Sequence, residues 1–294
     1  MDDRSTLLVL LSQRLTTLID AMPAAKAGDM RSVHQARVAT RRLREALPVV
    51  GASVSARSLG RVRRQVRRMT RALGPVRELD VALAHLDELA ASSTISPRAL
   101  ARVRQMVAQE RLARRRDMLQ AITPGRIEKL RRRLGEVGTT EDPPLKAAGI
   151  EAAEYQVGRR AQTIATAIEH AGGLYLPDRL HAVRVAAKKL RYALEIEREL
   201  KNLRGTARIA QLKRLQDLLG RMHDFEMLID RTRQLQADVA GSDRRLALEL
   251  DRLIGTLEQE CRQLHAVYMR RRASILKLAS QVSSATAPRP SAVA

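Results

Sequence analysis

The stretch VHQARVATRRLREAL at residues 33–47 recurs at 180–194 as LHAVRVAAKKLRYAL. His34, Arg37, Val38, Leu43 and Arg44 meet His181, Arg184, Val185, Leu190 and Arg191 at one constant offset. A second block follows each copy: VRRMTRALGPVRELDVAL at 66–83 aligns with LKRLQDLLGRMHDFEMLI at 212–229, and Leu73–Gly74 meets Leu219–Gly220. Two blocks repeated in the same order mark an internal duplication. They predict two similar units related by a pseudo-two-fold axis.

The period of the apolar residues says what each unit is made of. They recur every three to four positions along the chain, and no segment alternates as a strand would. Aromatic residues are only 2% of the total, with no Trp, one Phe and four Tyr. Leu, Ala, Val and Ile must therefore fill the core, which suits helix-on-helix packing. The expected class is all-α, two antiparallel helical bundles. Helices are expected at 4–22, 31–50, 56–73, 76–91, 97–122, 124–134, 145–171, 178–200, 203–220, 222–240 and 242–279. The first helical half is expected at 1–134 and the second at 145–280. GEVGTTEDPP at 135–144 reads as the linker, and 281–294, rich in Ser, Ala and Pro, as a loose tail. Ser32 with Gln35 reads as a capping box opening the second helix.

On a helix, His34, Arg37, Arg41 and Arg44 stand at i, i+3, i+7 and i+10, within an arc of about 80°. Ala36, Ala39, Leu43, Ala46 and Leu47 fall on the other side. His181, Arg184, Lys188 and Arg191 repeat the column. Arg64, Arg67, Arg68 and Arg71, with Arg61 a turn earlier, continue the basic pattern on the next helix. The second half keeps Lys213 and Arg214 there, but Asp217 replaces Arg71. No Glu or Asp is interleaved within the columns at 34–44 and 181–191 to offset the basic face. Like charges stacked this way oppose folding, so an external anion is expected to cover them.

The composition agrees. The formal charge is +22, and only eight of the 54 cationic residues are Lys. Guanidinium groups match phosphate oxygens in a bidentate fork. Cys261 is the only cysteine, which leaves no disulfide framework and no thiolate cluster. The start, MDDRSTLLVLL, is acidic where a signal peptide is basic, and no stretch reaches membrane-span length, so a cytoplasmic protein is expected.

These blocks resemble the CHAD family, histidine-bearing α-helical domains that bind inorganic polyphosphate. The family pattern runs roughly H-x-x-R-V-x-x-R-R-L-R in the first half and H-x-x-R-x-x-x-K-x-L-R-Y in the second. LGPVRELD and LGRMHDFE resemble its L-G-x-x-R-D block. The resemblance implies two helical bundles with a cationic cleft, a polyphosphate ligand, no catalysis, and association with polyphosphate granules. By position it implies ligand contacts from His34, Arg37, Arg41, Arg44, His181, Arg184, Lys188 and Arg191. His223 stands where the family has Arg, and Glu78 where it has Asp.

Other readings stay open. Nucleic-acid backbone binding needs only cations, although single-strand binding wants aromatic platforms that this chain lacks. CHAD domains also occur fused to triphosphatase domains of the CYTH type, and EIERELK at 195–201 superficially matches the alternating glutamates of such a site. Alternate positions share a face on a strand but diverge by about 200° on a helix, and this segment continues the Arg191 helix. No Gly-rich phosphate loop appears elsewhere, so no enzyme and no cofactor is expected. Metal binding at His34 or His181 is not expected either, because each has cations at i+3 and i+7. Each histidine is either a phosphate donor or a structural hydrogen-bonder.

Overall fold

A computed structural model describes residues 4–50, 56–91, 95–137 and 145–285. These residues form nine helices and no strand: α1 (Arg4–Ala27), α2 (Met30–Val50), α3 (Ala56–Ala90), α4 (Pro97–Ala121), α5 (Pro124–Val137), α6 (Leu145–Ala171), α7 (Pro177–Leu200), α8 (Ala207–Val239) and α9 (Arg244–Ala285). The protein is all-α, as expected.

The apolar periodicity becomes burial. Along α2, Val33, Ala36, Ala39, Leu43, Ala46 and Leu47 are buried, while His34, Arg37, Arg41 and Arg44 keep solvent contact. Each large apolar side chain so placed contributes about 2 kcal/mol. Helices α1, α2, α3 and α5 close one ring of contacts, and α6, α7, α8 and α9 close another. One core holds Leu18, Leu43, Leu47, Val66 and Leu73, together with Met118 near the end of α4, Ile122 just after it, and Ile196 and Leu200 from the end of α7. The other holds Leu190, Leu219, Phe225, Leu253 and Tyr268. It also takes Leu79 and Leu86 from α3 and Val103 and Val107 from α4. Both cores thus draw on elements from either side of residues 138–144.

Several local expectations are corrected. The segments expected at 56–73 and 76–91 are one helix, α3, despite Gly74 and Pro75. A mid-helix proline costs about 3 kcal/mol through its missing N–H and its ring. Leu73 and Val76 are fully buried on either side, which offsets that cost, and the helix continues. Gly220 likewise lies inside α8 rather than between two helices, and α8 begins at Ala207, not 203. The chain turns before it at Asn202, whose φ is 51°. Asp29, not Ser32, caps α2. Gly28, at φ 102°, turns the chain so that the Asp29 Oδ2 accepts the Ser32 amide at 2.7 Å. Helix α1 passes Pro23 to Ala27, α9 reaches Ala285 into the expected tail, and α5 takes Val137 from the expected linker. Residues 138–144 and 286–294 lie outside the described residues.

Candidate functional site: two facing cationic columns

Helices α2 and α7 touch, and their basic columns come together. Arg184 depresses the ionisation of both Arg37 and Arg41, while Arg37, Arg41 and Arg44 all act on Lys188. The separate columns read from the sequence form one cluster. Its centre is Arg37, Arg41, Arg184 and Lys188, all half-buried and none within ion-pair distance of a carboxylate among the described residues. Burial, then Arg41, brings Arg37 down to about 10. Burial, then Arg41, Arg184, Arg37 and Arg44, brings Lys188 down to about 7. The Arg41 Nε is buried without a hydrogen-bond partner among the described residues.

The outer members of the columns are partly committed. Arg191 donates to Glu195 at 2.6 Å and to Gln216 at 3.1 Å, and Arg44 lies 3.4 Å from Glu45. Tyr192 is buried between the columns, with the Arg191 guanidinium 4.7 Å and the Arg41 guanidinium 5.2 Å from its ring centroid. Such cation–π contacts hold two like charges beside one ring.

Glycines let the helices bring these groups close. The Arg37 guanidinium crosses α3 at Gly74, and Arg184 crosses α8 at Gly220. Equivalent residues in the two repeats therefore make equivalent crossings. Arg67 lies two turns before Gly74, about 20° from it on α3, and Arg71 is on the same side, so both adjoin the cluster face. Arg68 is about 120° from Gly74, and it turns with Arg64 toward α5, where the two line a separate concavity. Lys213 is exposed and paired with Asp217 at 2.8 Å. Arg214 is exposed on α8.

The histidines lie at one end of the columns. His34 is depressed by burial, then by Arg77, Arg41 and Arg37. His181 places its Nδ1 3.3 Å from the His223 Nδ1. Burial, then His223, brings His181 down to about 4. Burial, then Arg184, depresses His223. His223 aligns with Arg77, so the repeats place a His–Arg neighbour pair on one side and a His–His pair on the other.

Sequence reasoning missed three contributors: Arg77, His223 as the partner of His181, and Tyr192 as a spacer. The alignment held the first two, because Arg77 and His223 occupy matching positions in the second block. Glu78 also does more than its departure from the family pattern suggested. It accepts from Arg231 of α8 at 2.9 Å, and Glu110 of α4 binds the same guanidinium at 3.0 Å. Asp80, fully buried, accepts from Arg111. The glutamates of EIERELK are helical and paired: Glu195 with Arg191 and Arg42, Glu197 with Lys201, Glu199 with Arg14.

The fold is shared with known proteins. The CHAD domain family model matches residues 10–233. The crystal structure of the CHAD domain from the plant Ricinus communis superposes with a TM-score of 0.62 at 21% identity, covering 95% of this chain and 91% of that one. PptA from Streptomyces chartreusis superposes with a TM-score of 0.60 at 16% identity, covering 95% and 99%. No curated protein matches the chain by sequence. The family match spans both repeats and every residue of the two facing columns, and the chain belongs to the CHAD domain family.

Proposed function

We propose that this protein binds inorganic polyphosphate, without catalysis, along the track formed by α2 and α7. One observation carries the reading: Arg37, Arg41, Arg184 and Lys188 converge from two helices, half-buried, without carboxylate partners among the described residues. Desolvating four like charges side by side opposes folding, and a polyanion offsets that cost. The α2 column from His34 to Arg44 is ~15 Å long at 1.5 Å per residue, room for several phosphates in a row. Tyr192 is buried beneath two guanidinium groups and offers no open face for a base. The EIERELK glutamates are held by cations and sit on a helix, which argues against a triphosphatase site there. No described helix is long and apolar enough to cross a membrane, and association with cytoplasmic polyphosphate granules is part of the proposal.

Competition between polyphosphate and duplex DNA at matched phosphate concentration tests the reading. Polyphosphate is expected to win at physiological salt, with a log K against log salt slope that steepens with chain length. Equal competition by DNA would refute the assignment.

A further inference from the structure

The side of α3 turned away from the track carries a second cationic arrangement. Arg61, Arg64 and Arg68 stand at i, i+3 and i+7 on α3, and Arg126, Lys129 and Arg133 repeat that spacing on α5. The two triplets line one concavity of about 380 Å³. No carboxylate and no aromatic ring is among its lining residues.

The floor is fixed by Gln65. Its amide nitrogen donates to the Arg126 carbonyl, and its oxygen accepts from Arg133 at 3.2 Å, which ties α5 to α3. The Arg126 guanidinium folds back on the carbonyls of Gln120 at 3.0 Å and Ala121 at 2.7 Å. The remaining four cations, Arg61, Arg64, Arg68 and Lys129, are exposed, and none has an ion-pair partner among the described residues. A neutral hydrogen-bonded floor beneath uncompensated cations favours an anion with several oxygens, and each column spans only ~10 Å.

We infer that α3 and α5 form a second anion site, separate from the α2–α7 track, which takes a compact run of phosphates such as inorganic tripolyphosphate. The site stands on its own residues, so failure of the track reading would leave it intact. Its occupant is either a free short oligophosphate or the end of a longer chain.

Lysine acetylation followed by peptide mass spectrometry distinguishes the two sites, because Lys129 belongs to this concavity and Lys188 to the track. With tripolyphosphate at ten times its Kd, acetylation of Lys129 in the full chain is expected to slow about tenfold, following the free fraction. The variant R64A/R68A, altered only at exposed positions, is expected to lose this protection while circular dichroism and the protection of Lys188 by long-chain polyphosphate stay as in the parent. Unchanged Lys129 labelling with either ligand, or equal protection in the variant, would overturn the site. Protection by long-chain polyphosphate alone would overturn its assignment to a compact ligand.

Discussion

The Arg37 guanidinium lies across Gly74 so closely that a Cβ there would stand 2.6 Å from its Nη1. Real Cβ atoms do not approach so near, so G74A must displace Arg37. The corresponding glycine of the second repeat is roomier, since a Cβ at Gly220 would stay 3.6 Å from the Arg184 Nε. G74A is expected to weaken polyphosphate binding about tenfold, the loss of roughly one charge-assisted hydrogen bond. G220A should leave affinity unchanged and add up to ~1 kcal/mol of stability from helix propensity. Titration calorimetry and thermal melts on the two variants check the contrast.

Lys188 makes binding and stability pull in opposite directions. Its folded value of about 7 lies well below the ordinary lysine value of ~10.4. Between those values the unfolded chain holds more protons, so this residue makes stability rise with pH across the window and costs most below 7. K188M is expected to raise the ligand-free melting temperature at pH 6 to 7 and to flatten the rise with pH. Each 1 kcal/mol corresponds to ~2–4 °C for a chain of this size. The same variant should bind polyphosphate more weakly. A lower melting temperature at pH 6 would contradict the electrostatic account.

Ligand binding should draw protons from solution. An anion in the track raises the ionisation of Lys188 and of His34, His181 and His223, all depressed in the free protein. Affinity is therefore expected to rise as pH falls from 8 to 6. Near pH 8 the uptake belongs to Lys188, and near pH 6 the histidines join it. Calorimetry in buffers of different ionisation enthalpy measures the uptake. K188M should abolish the pH 8 component, and H34A/H181A should diminish the pH 6 component, leaving the share of His223. An unchanged pH 6 uptake in the histidine variant would assign those residues to structure.

The arginines of the track should divide by what else they hold. Arg41 and Arg184 have no carboxylate partner among the described residues, and R41Q or R184Q is expected to cost binding about tenfold each, with little loss of stability. Arg191 is committed to buried Glu195, so R191Q should cost less affinity but ~1–3 kcal/mol of stability by leaving that carboxylate poorly paired. Paired denaturant and binding titrations separate the two effects.

The sequence carried the columns themselves, because a 3.6-residue period places His34, Arg37, Arg41 and Arg44 on one arc whatever lies around them. It carried the helical state of EIERELK for the same reason. It did not carry the course of α3 through Leu73–Gly74–Pro75, where local breaker chemistry yields to burial on both sides. Nor did it carry the cap of α2, set by the Gly28 turn one residue before Asp29. The separation of Arg64 and Arg68 from Arg67 and Arg71 lies in tertiary packing. All four are basic and close in sequence, and only the docking of α5 tells one side of α3 from the other.

That helix has a further consequence. At 35 residues α3 is ~52 Å long, and it crosses from the core around Leu73 to the core around Leu79 and Leu86. Helix α4 makes the return trip, from Val103 and Val107 to Met118 and Ile122. A cut in the backbone between α5 and α6 would therefore not yield two modules. Each fragment would bare an apolar strip shaped to the other, so the pair should reassemble when produced together, and the chain lends itself to fragment complementation.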